Sequence, residues 1–246
     1  MSVTHGGKTV YGASVGILML ETRFPRIHGD IGNAMTWPFP VQYRVVPGAT
    51  ADRVVRQDPR LLLDAFIAAG QELVRMGCDG ITTNCGFLAL VQDPLRAALA
   101  VPVATSSLMQ IRMVQALLGP DSRVGVVTIS KDTLTPAHLR AAGAPEDTII
   151  TGTDGGRIFT RGILDDHADL DFAACRLDVL EAAEALVKDH DNIGAIVLEC
   201  TNMVPYAADV RLRTGLPVFS IYSFVSWFQA GLMPRRFAPV LDDPRG

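Results

Sequence analysis

Apolar residues in this chain come in short unbroken runs separated by stretches with helical spacing. Val15-Gly16-Ile17-Leu18-Met19-Leu20 is one such run, long enough for a strand buried on both faces. Val41 to Val46 alternates apolar and polar side chains and predicts a second strand. Asp58-Pro59 predicts a helix start, since Asp58 can accept from free N–H groups and Pro59 suits the first helical position. Leu62, Phe66, Ala69, Leu73 and Met76 then share one helical face, and Gly77 closes it. A buried run from Asp79 to Thr83 leads out into a tight turn presenting Cys85. A short helical stretch to about Ala100, the strand Val101-Pro102-Val103 and a helix from Leu108 to Leu118 follow.

The pattern then restarts. Val124-Gly125-Val126-Val127-Thr128 echoes the first run 109 residues on. Lys131 to Ala142 predicts a helix and Thr148-Ile149-Ile150 a short strand. Gly152 to Gly156 lacks the spacing and lysine of a phosphate loop and reads as a turn. A helix capped by Asp169 or Asp171, with Ala173, Leu177, Leu180, Ala183 and Val187 on one face, precedes the strand Ile193 to Leu198, which presents Cys200. A helix to Arg213, a strand at Pro217 and an aromatic helix through Tyr222, Phe224, Trp227 and Phe228 complete the chain. A Val-Pro-Val or Leu-Pro-Val strand has its proline 17 residues after each of the two cysteines.

Strand–helix alternation of this kind predicts an α/β fold with two pseudo-symmetric lobes, each a parallel sheet flanked by helices, and the site in the cleft between them. Lobe 1 would comprise residues 1–105 and 216–246 and carry Cys85; lobe 2 would comprise 106–215 and carry Cys200. Ligands of parallel sheets bind beyond the carboxyl ends of the strands, where Glu21, Cys85, Thr128 and Cys200 all fall.

Composition narrows the function. A net charge of −4 and no basic stripe argue against a nucleic-acid partner, and no apolar run is long enough to span a membrane. The polar, Gly-rich start does not read as a signal peptide, so a cytoplasmic protein with free thiols is expected. Without CxxC, HExxH or clustered histidines, no metal is called for. Glu21 to Pro40, broken by five prolines and glycines, predicts a long loop of functional kind.

Two cysteines in matching positions suggest a pair facing one substrate. A thiol at a helix N-terminus needs about 1.5 pKa units, roughly 2 kcal/mol, to become half ionised near neutrality, and the helix end with its N–H groups can supply that. Such a pair could remove a proton from one face of a carbon and return it to the other. The carbanion that forms needs donors, for which Thr83, Asn84, Thr128, Ser130, Thr201 and the backbone at Gly86 and Phe87 are available. Arg23 and Arg26 could grip a carboxylate or be solvated loop charges. Glu21 and Glu199 could tune a thiol, bind an ammonium group or cap a helix, whereas Cys78 and Cys175 read as inert core residues.

With its paired strand–Cys elements, the Cys200-Thr201 dipeptide and the duplicated α/β pattern from Val15 to about Phe228, the chain resembles the cofactor-independent aspartate/glutamate (hydantoin) racemase superfamily. Gly86-Phe87 stands where that family's amino-acid racemases carry Asn-Thr, and Asn202 where glutamate racemases carry histidine. The resemblance implies Cys85 and Cys200 as the acid/base pair, Thr201 as a carboxylate binder, and no pyridoxal phosphate or other cofactor. The expected function is a racemase or epimerase inverting Cα of a small acidic amino acid or hydantoin. The alternatives are a maleate-type cis–trans isomerase with a covalent cysteine and a two-lobed binding protein without chemistry. The expected partner is a small carboxylate, with a homodimer as a candidate assembly.

Overall fold

The computed structural model describes residues 3–237 and 239; positions 1, 2, 238 and 240–246, assigned above to lobe 1, lie outside the described residues. Two four-stranded parallel sheets organise the chain. β1 (Val15–Leu20), β2 (Val41–Val46), β3 (Gly80–Thr83) and β4 (Val103–Ala104) pair in the order β2-β1-β3-β4. β5 (Arg123–Thr128), β6 (Ile149–Gly152), β7 (Ile193–Leu198) and β8 (Val218–Phe219) repeat it as β6-β5-β7-β8. The helices are α1 (Ala51–Val55), α2 (Leu63–Met76), α3 (Gln92–Ala98), α4 (Ile111–Gln115), α5 (Pro136–Ala141), α6 (Phe159–Leu164), α7 (Phe172–Asp189), α8 (Ala207–Thr214) and α9 (Ile221–Leu232). Among the described residues no helix is long and apolar enough to cross a membrane.

The central strands β1, β3, β5 and β7 are almost wholly buried because helices cover both faces of each sheet. One apolar core runs continuously through both lobes, from Leu18 and Phe87 to Val126 and Leu198. A second lies on the other face of the first sheet, where Val15, Ile17 and Met19 meet Ile31, Trp37 and the α9 residues Ile221, Phe224 and Val225. The segment Glu21–Pro40 is therefore a built cover rather than an open loop. Asp30 and Thr36 lock it internally, and Trp37 stacks on Tyr222 of α9 at 5.6 Å. Trp227, in contrast, is exposed.

Several boundaries differ from expectation for local reasons. Asp58 does accept from Arg60 N–H, but it starts a 3-10 turn, Pro59–Leu62, and α2 follows only at Leu63. The stretch 108–118 likewise begins as a 3-10 turn at Ser107, and the helix in 131–142 is confined to α5 behind its capping Thr135. α1 and α6 have five and six residues, too few for periodicity to announce them. The assignment of 216–219 to lobe 1 is corrected by hydrogen bonding: β8 pairs with β7, so the crossing back to the first lobe occurs at α9. There Phe228 and Leu232 lie directly on Gly80 of β3, within 2.6 Å of where a Cβ would sit.

Asp178 of α7 fixes α6, which forms one wall of the inter-lobe cavity. Its buried carboxylate accepts from the N–H groups of Arg157, Ile158 and Phe159 at 2.7, 2.8 and 2.9 Å. Burial alone would raise its pKa; these N–H groups and the Arg157 guanidinium outweigh it and hold the carboxyl low. Asp178→Ala would strand three donors and should lower stability by about 2–4 kcal/mol in urea melts. A loss under about 1 kcal/mol would show that α6 is positioned otherwise.

Candidate active site

The carboxyl ends of β1 and β3 face those of β5 and β7 across a narrow cavity. Leu20, Asn84 and Cys85 line it from the first lobe, and Ile129, Glu199, Cys200 and Asn202 from the second. Thr22, Phe24 and Arg26 of the cover segment close it, with Ala51, Val55, Ile163 and Leu164 completing an apolar wall. Each lobe has the 2-1-3-4 strand order, so the cavity sits at the switch point of both sheets.

Both cysteines stand where a strand hands over to a 3-10 turn: Cys85 before Gly86–Val91 and Cys200 before Thr201–Tyr206. The structure thus brings the two thiols, 9% and 6% exposed, into one cavity. It does not make them acidic. Burial pushes Cys85 far above its ordinary value, the charge of Glu199 adds to this, and the N–H groups of Phe87 and Leu88 offset only part. Cys200 is raised in the same way by burial and then by Glu199. The expectation that helix ends would bring a thiol near 7 is corrected: at two buried thiols desolvation exceeds the pull of a helix end. Cys78 and Cys175 are buried elsewhere, each pushed up to about 11 by desolvation, as inert core thiols should be.

Glu199 is the unusual group. It is 1% exposed and directly precedes Cys200. Its Oε2 accepts from Thr128 Oγ1 at 2.8 Å and from Ile129 N at 3.4 Å, while Oε1 has no hydrogen-bond partner. Burial raises its pKa to about 7; the Thr128 hydroxyl and the nearby N–H groups of Ile129 and Gly86 limit the rise. The Gly86 N–H is close enough to act electrostatically but falls outside hydrogen-bond geometry. Of the readings open from sequence, helix capping is excluded, since Cys200 holds the N-cap position. Glu199 also explains Gly86. A Cβ there would lie 2.1 Å from Oε1 and 2.7 Å from the Glu199 carbonyl oxygen, so only glycine fits.

The other sequence candidates divide. Asn84 and Arg26 line the cavity. Asn84 Oδ1 accepts from Leu20 N at 2.8 Å, and Arg26 donates to Asp30 at 2.8 Å and to Thr22 at 2.9 Å, with Phe24 beneath its guanidinium. The remainder do not line the cavity. Glu21 accepts from Gly48 N, Arg23 points outward to Asp166, and Thr83 donates to Thr105 O. Phe87 is core, its ring edge-on to His138 at 4.9 Å, and Gly86 lies behind Glu199. Thr128 holds Glu199, Ser130 N donates to Thr128, and Thr201 donates to Asn84 O at 2.6 Å across the lobe boundary. Sequence reasoning missed Asn202, which donates to Asp30 at 2.6 Å and accepts from Cys200 at 3.4 Å. Its place two residues after Cys200 was the available signal; buried Asp30 had none. Among the described residues no group of His, Cys, Asp and Glu is arranged to hold a metal.

Comparison with known proteins adds a chemical context. No family model matches the chain. It is 32% identical over 230 residues to dimethylsulfoniopropionate lyase 7 of Emiliania huxleyi strain CCMP1516, covering 89% of this chain and 67% of the relative. The chain belongs to the dimethylsulfoniopropionate lyase family. Within this family it is also 27% identical over 232 residues to a lyase of a Durusdinium species, clade D (90% and 75% covered), and 31% identical over 231 residues to lyase 3 of the same Emiliania strain (89% and 60%). Solved structures with the same fold include unliganded arylmalonate decarboxylase, at TM-score 0.58 and 15% identity over 93% of this chain and 96% of that one. Allantoin racemase of Pseudomonas fluorescens has TM-score 0.54, 17% identity and coverage of 92% and 99%. A glutamate racemase of Bacillus anthracis has TM-score 0.57, 12% identity and coverage of 90% and 81%. The racemase-type fold expected from sequence is present, but the sequence relatives are named as lyases, not as amino-acid isomerases.

Two outcomes follow from the Glu199 environment. A carboxyl with a raised folded-state pKa contributes stability below its unfolded value, and that contribution disappears as pH rises through about 7. Wild-type stability should therefore fall between about pH 4.5 and 7 relative to Glu199→Gln, by at most about 3 kcal/mol. Parallel denaturant melts across this range would read it, and parallel curves would count against it. Gly86→Ala should destabilise by about 1–3 kcal/mol, and combining it with Glu199→Ala should recover part of the loss in a double-mutant cycle.

Proposed function

We propose that this protein is a lyase that removes the proton next to the carboxylate of dimethylsulfoniopropionate and expels dimethyl sulfide. The observation that carries the reading is the pair of buried thiols on one inter-lobe cavity in a chain 32% identical to a dimethylsulfoniopropionate lyase. The substrate is (CH3)2S⁺–CH2–CH2–COO⁻. The electron pair of the broken Cα–H bond becomes the new C=C bond, and the C–S pair leaves on sulfur. The products are dimethyl sulfide, acrylate and one proton.

The cavity suits a zwitterion. Arg26 offers a cation for the carboxylate end, since its guanidinium is only partly engaged by Asp30 and Thr22. Asn84 and Asn202 offer oxygen atoms for the sulfonium end, and the apolar wall from Ile163 and Leu164 accommodates its methyl groups. One cysteine acts as the base toward Cα, and the second stands across the same small space. No cofactor is required for these steps.

The two-thiol arrangement also favours a second reading, racemisation or epimerisation at Cα of a small amino acid or hydantoin. Both reactions begin by taking a proton from a carbon next to a carbonyl group. They part afterwards, because a carbanion with a β-sulfonium expels it, whereas one without a leaving group can only be reprotonated. Headspace measurement of dimethyl sulfide, beside optical rotation of enantiopure amino acids and hydantoins, separates the two. Dimethyl sulfide release is expected, with Cys85→Ser and Cys200→Ser each lowering kcat by about 10³-fold or more and Arg26→Gln acting mainly on KM. Wild-type rates in both cysteine variants, or loss of optical rotation without dimethyl sulfide, would overturn the lyase reading.

A further inference from the structure

A lyase must dispose of a proton that a racemase keeps. Inversion by two thiols takes one proton and gives one back, so the site returns to its starting charge. Elimination leaves one proton behind in every turnover, on a thiol whose burial makes it reluctant to give that proton up. The site therefore needs a group that can receive it.

Resting on the lyase reading, we infer that Glu199 is a proton relay that acts through the two thiols, taking the proton each elimination leaves behind and releasing it to water. Its place in the fold supplies the geometry. Glu199 lies on the cavity wall, bonded in sequence to Cys200, with Oε1 packed against Gly86, the residue after Cys85. One oxygen is anchored by Thr128 and Ile129, and the other, fully buried, is left without a partner. An unpartnered buried carboxylate oxygen is costly unless it is used. The site keeps it at the expense of any side chain at position 86.

The electrostatics agree. The carboxyl gains and loses its proton near neutrality, which suits a relay. The groups that face it are Cys85 and Cys200, with Asp30 and Arg26 bearing on the thiols from the cover segment. While Glu199 is ionised it opposes a free thiolate at either cysteine. The thiol therefore passes its own proton to Glu199 as it accepts the one from Cα, and no free thiolate needs to accumulate. The C–H pair forms the C=C bond, sulfur departs with the C–S pair, and the proton is carried on the Glu199 carboxyl until the cavity opens to water. Glu199 is thus a positioning residue for the proton, not a group bonded to substrate.

The test uses the full chain. Infrared difference spectra of the protein alone should show a carboxylic acid band titrating with a midpoint near 7 in wild type and absent in Glu199→Gln. In dimethyl sulfide release, wild-type kcat should rise with pH through a limb near 7. Glu199→Gln should lose that limb and about 10²-fold in kcat, with KM changed less than about threefold, and Glu199→Asp should restore the limb in part. Absence of the infrared band, an unchanged limb in Glu199→Gln, or a rise in KM with kcat intact would each overturn the relay; the last would make Glu199 a counter-ion for the sulfonium. Should Glu199→Gln unfold, the infrared band and the Glu199→Asp profile still decide. A wild type that titrates at Glu199 but releases no dimethyl sulfide would overturn the relay's role in elimination through failure of the substrate reading, whereas a working lyase without the band would overturn the relay alone.

Discussion

Two turns, each carrying a cysteine, meet back to back at the floor of the cavity, and the fit between them leaves no spare atom. Glu199 packs against the Cα of Gly86, Thr201 Oγ1 donates to Asn84 O, and Ser107 Oγ donates to the carbonyls of Leu198 and Glu199. These contacts join residues far apart in the chain and lie inside the continuous core. Because the seam is buried, its two thiols and its carboxyl are all pushed upward, toward their neutral forms. Geometry and acidity in the site thus have one origin, the closeness of the two lobes.

The roof is built differently. Arg26, Asp30 and Asn202 form a half-buried polar network under the cover segment, and its outer latches are solvent-exposed pairs. Arg23 and the backbone N–H groups of Arg23 and Phe24 engage Asp166, which holds a positive φ of 56°. Exposed ion pairs contribute about 0–1 kcal/mol each, and a non-glycine residue in the left-handed region carries about 1–3 kcal/mol of strain. These latches add little to the apolar packing of Ile31 and Trp37 against α9, which anchors the same segment.

The parts of this arrangement that repeat were legible in the chain. The two apolar runs 109 residues apart are β1 and β5, and the two cysteines do sit at equivalent strand ends of two sheets with one topology. Periodicity could not reveal α1 and α6, which are shorter than two turns, nor could it assign β8, two residues long, to its sheet. Residue type near a strand end says nothing about the direction in which a polar side chain points. Thr83, Thr128 and Thr201 all use their hydroxyls inside the protein, two of them to hold the seam together. Asp30 reaches the site from within a segment without periodicity, so only the folded chain discloses it. Thiol acidity was misjudged for a related reason: sequence displays the favourable helix end but not the desolvation set by the opposite lobe.

A scaffold that closes two thiols around a carbon next to a carboxylate does not by itself choose between inversion and elimination. The leaving group on the ligand makes that choice, and the site must then accommodate the proton balance that results. Here Gly86 and Glu199 form a single unit split between the lobes, since the carboxylate can be present only while position 86 has no side chain. A residue with Cβ at 86 would displace the carboxylate and leave the two thiols as the sole proton-handling groups on the cavity floor. In the lyase reading proposed above, the pair at 86 and 199, more than the cysteines common to both readings, is the feature that would distinguish a proton exported from a proton returned.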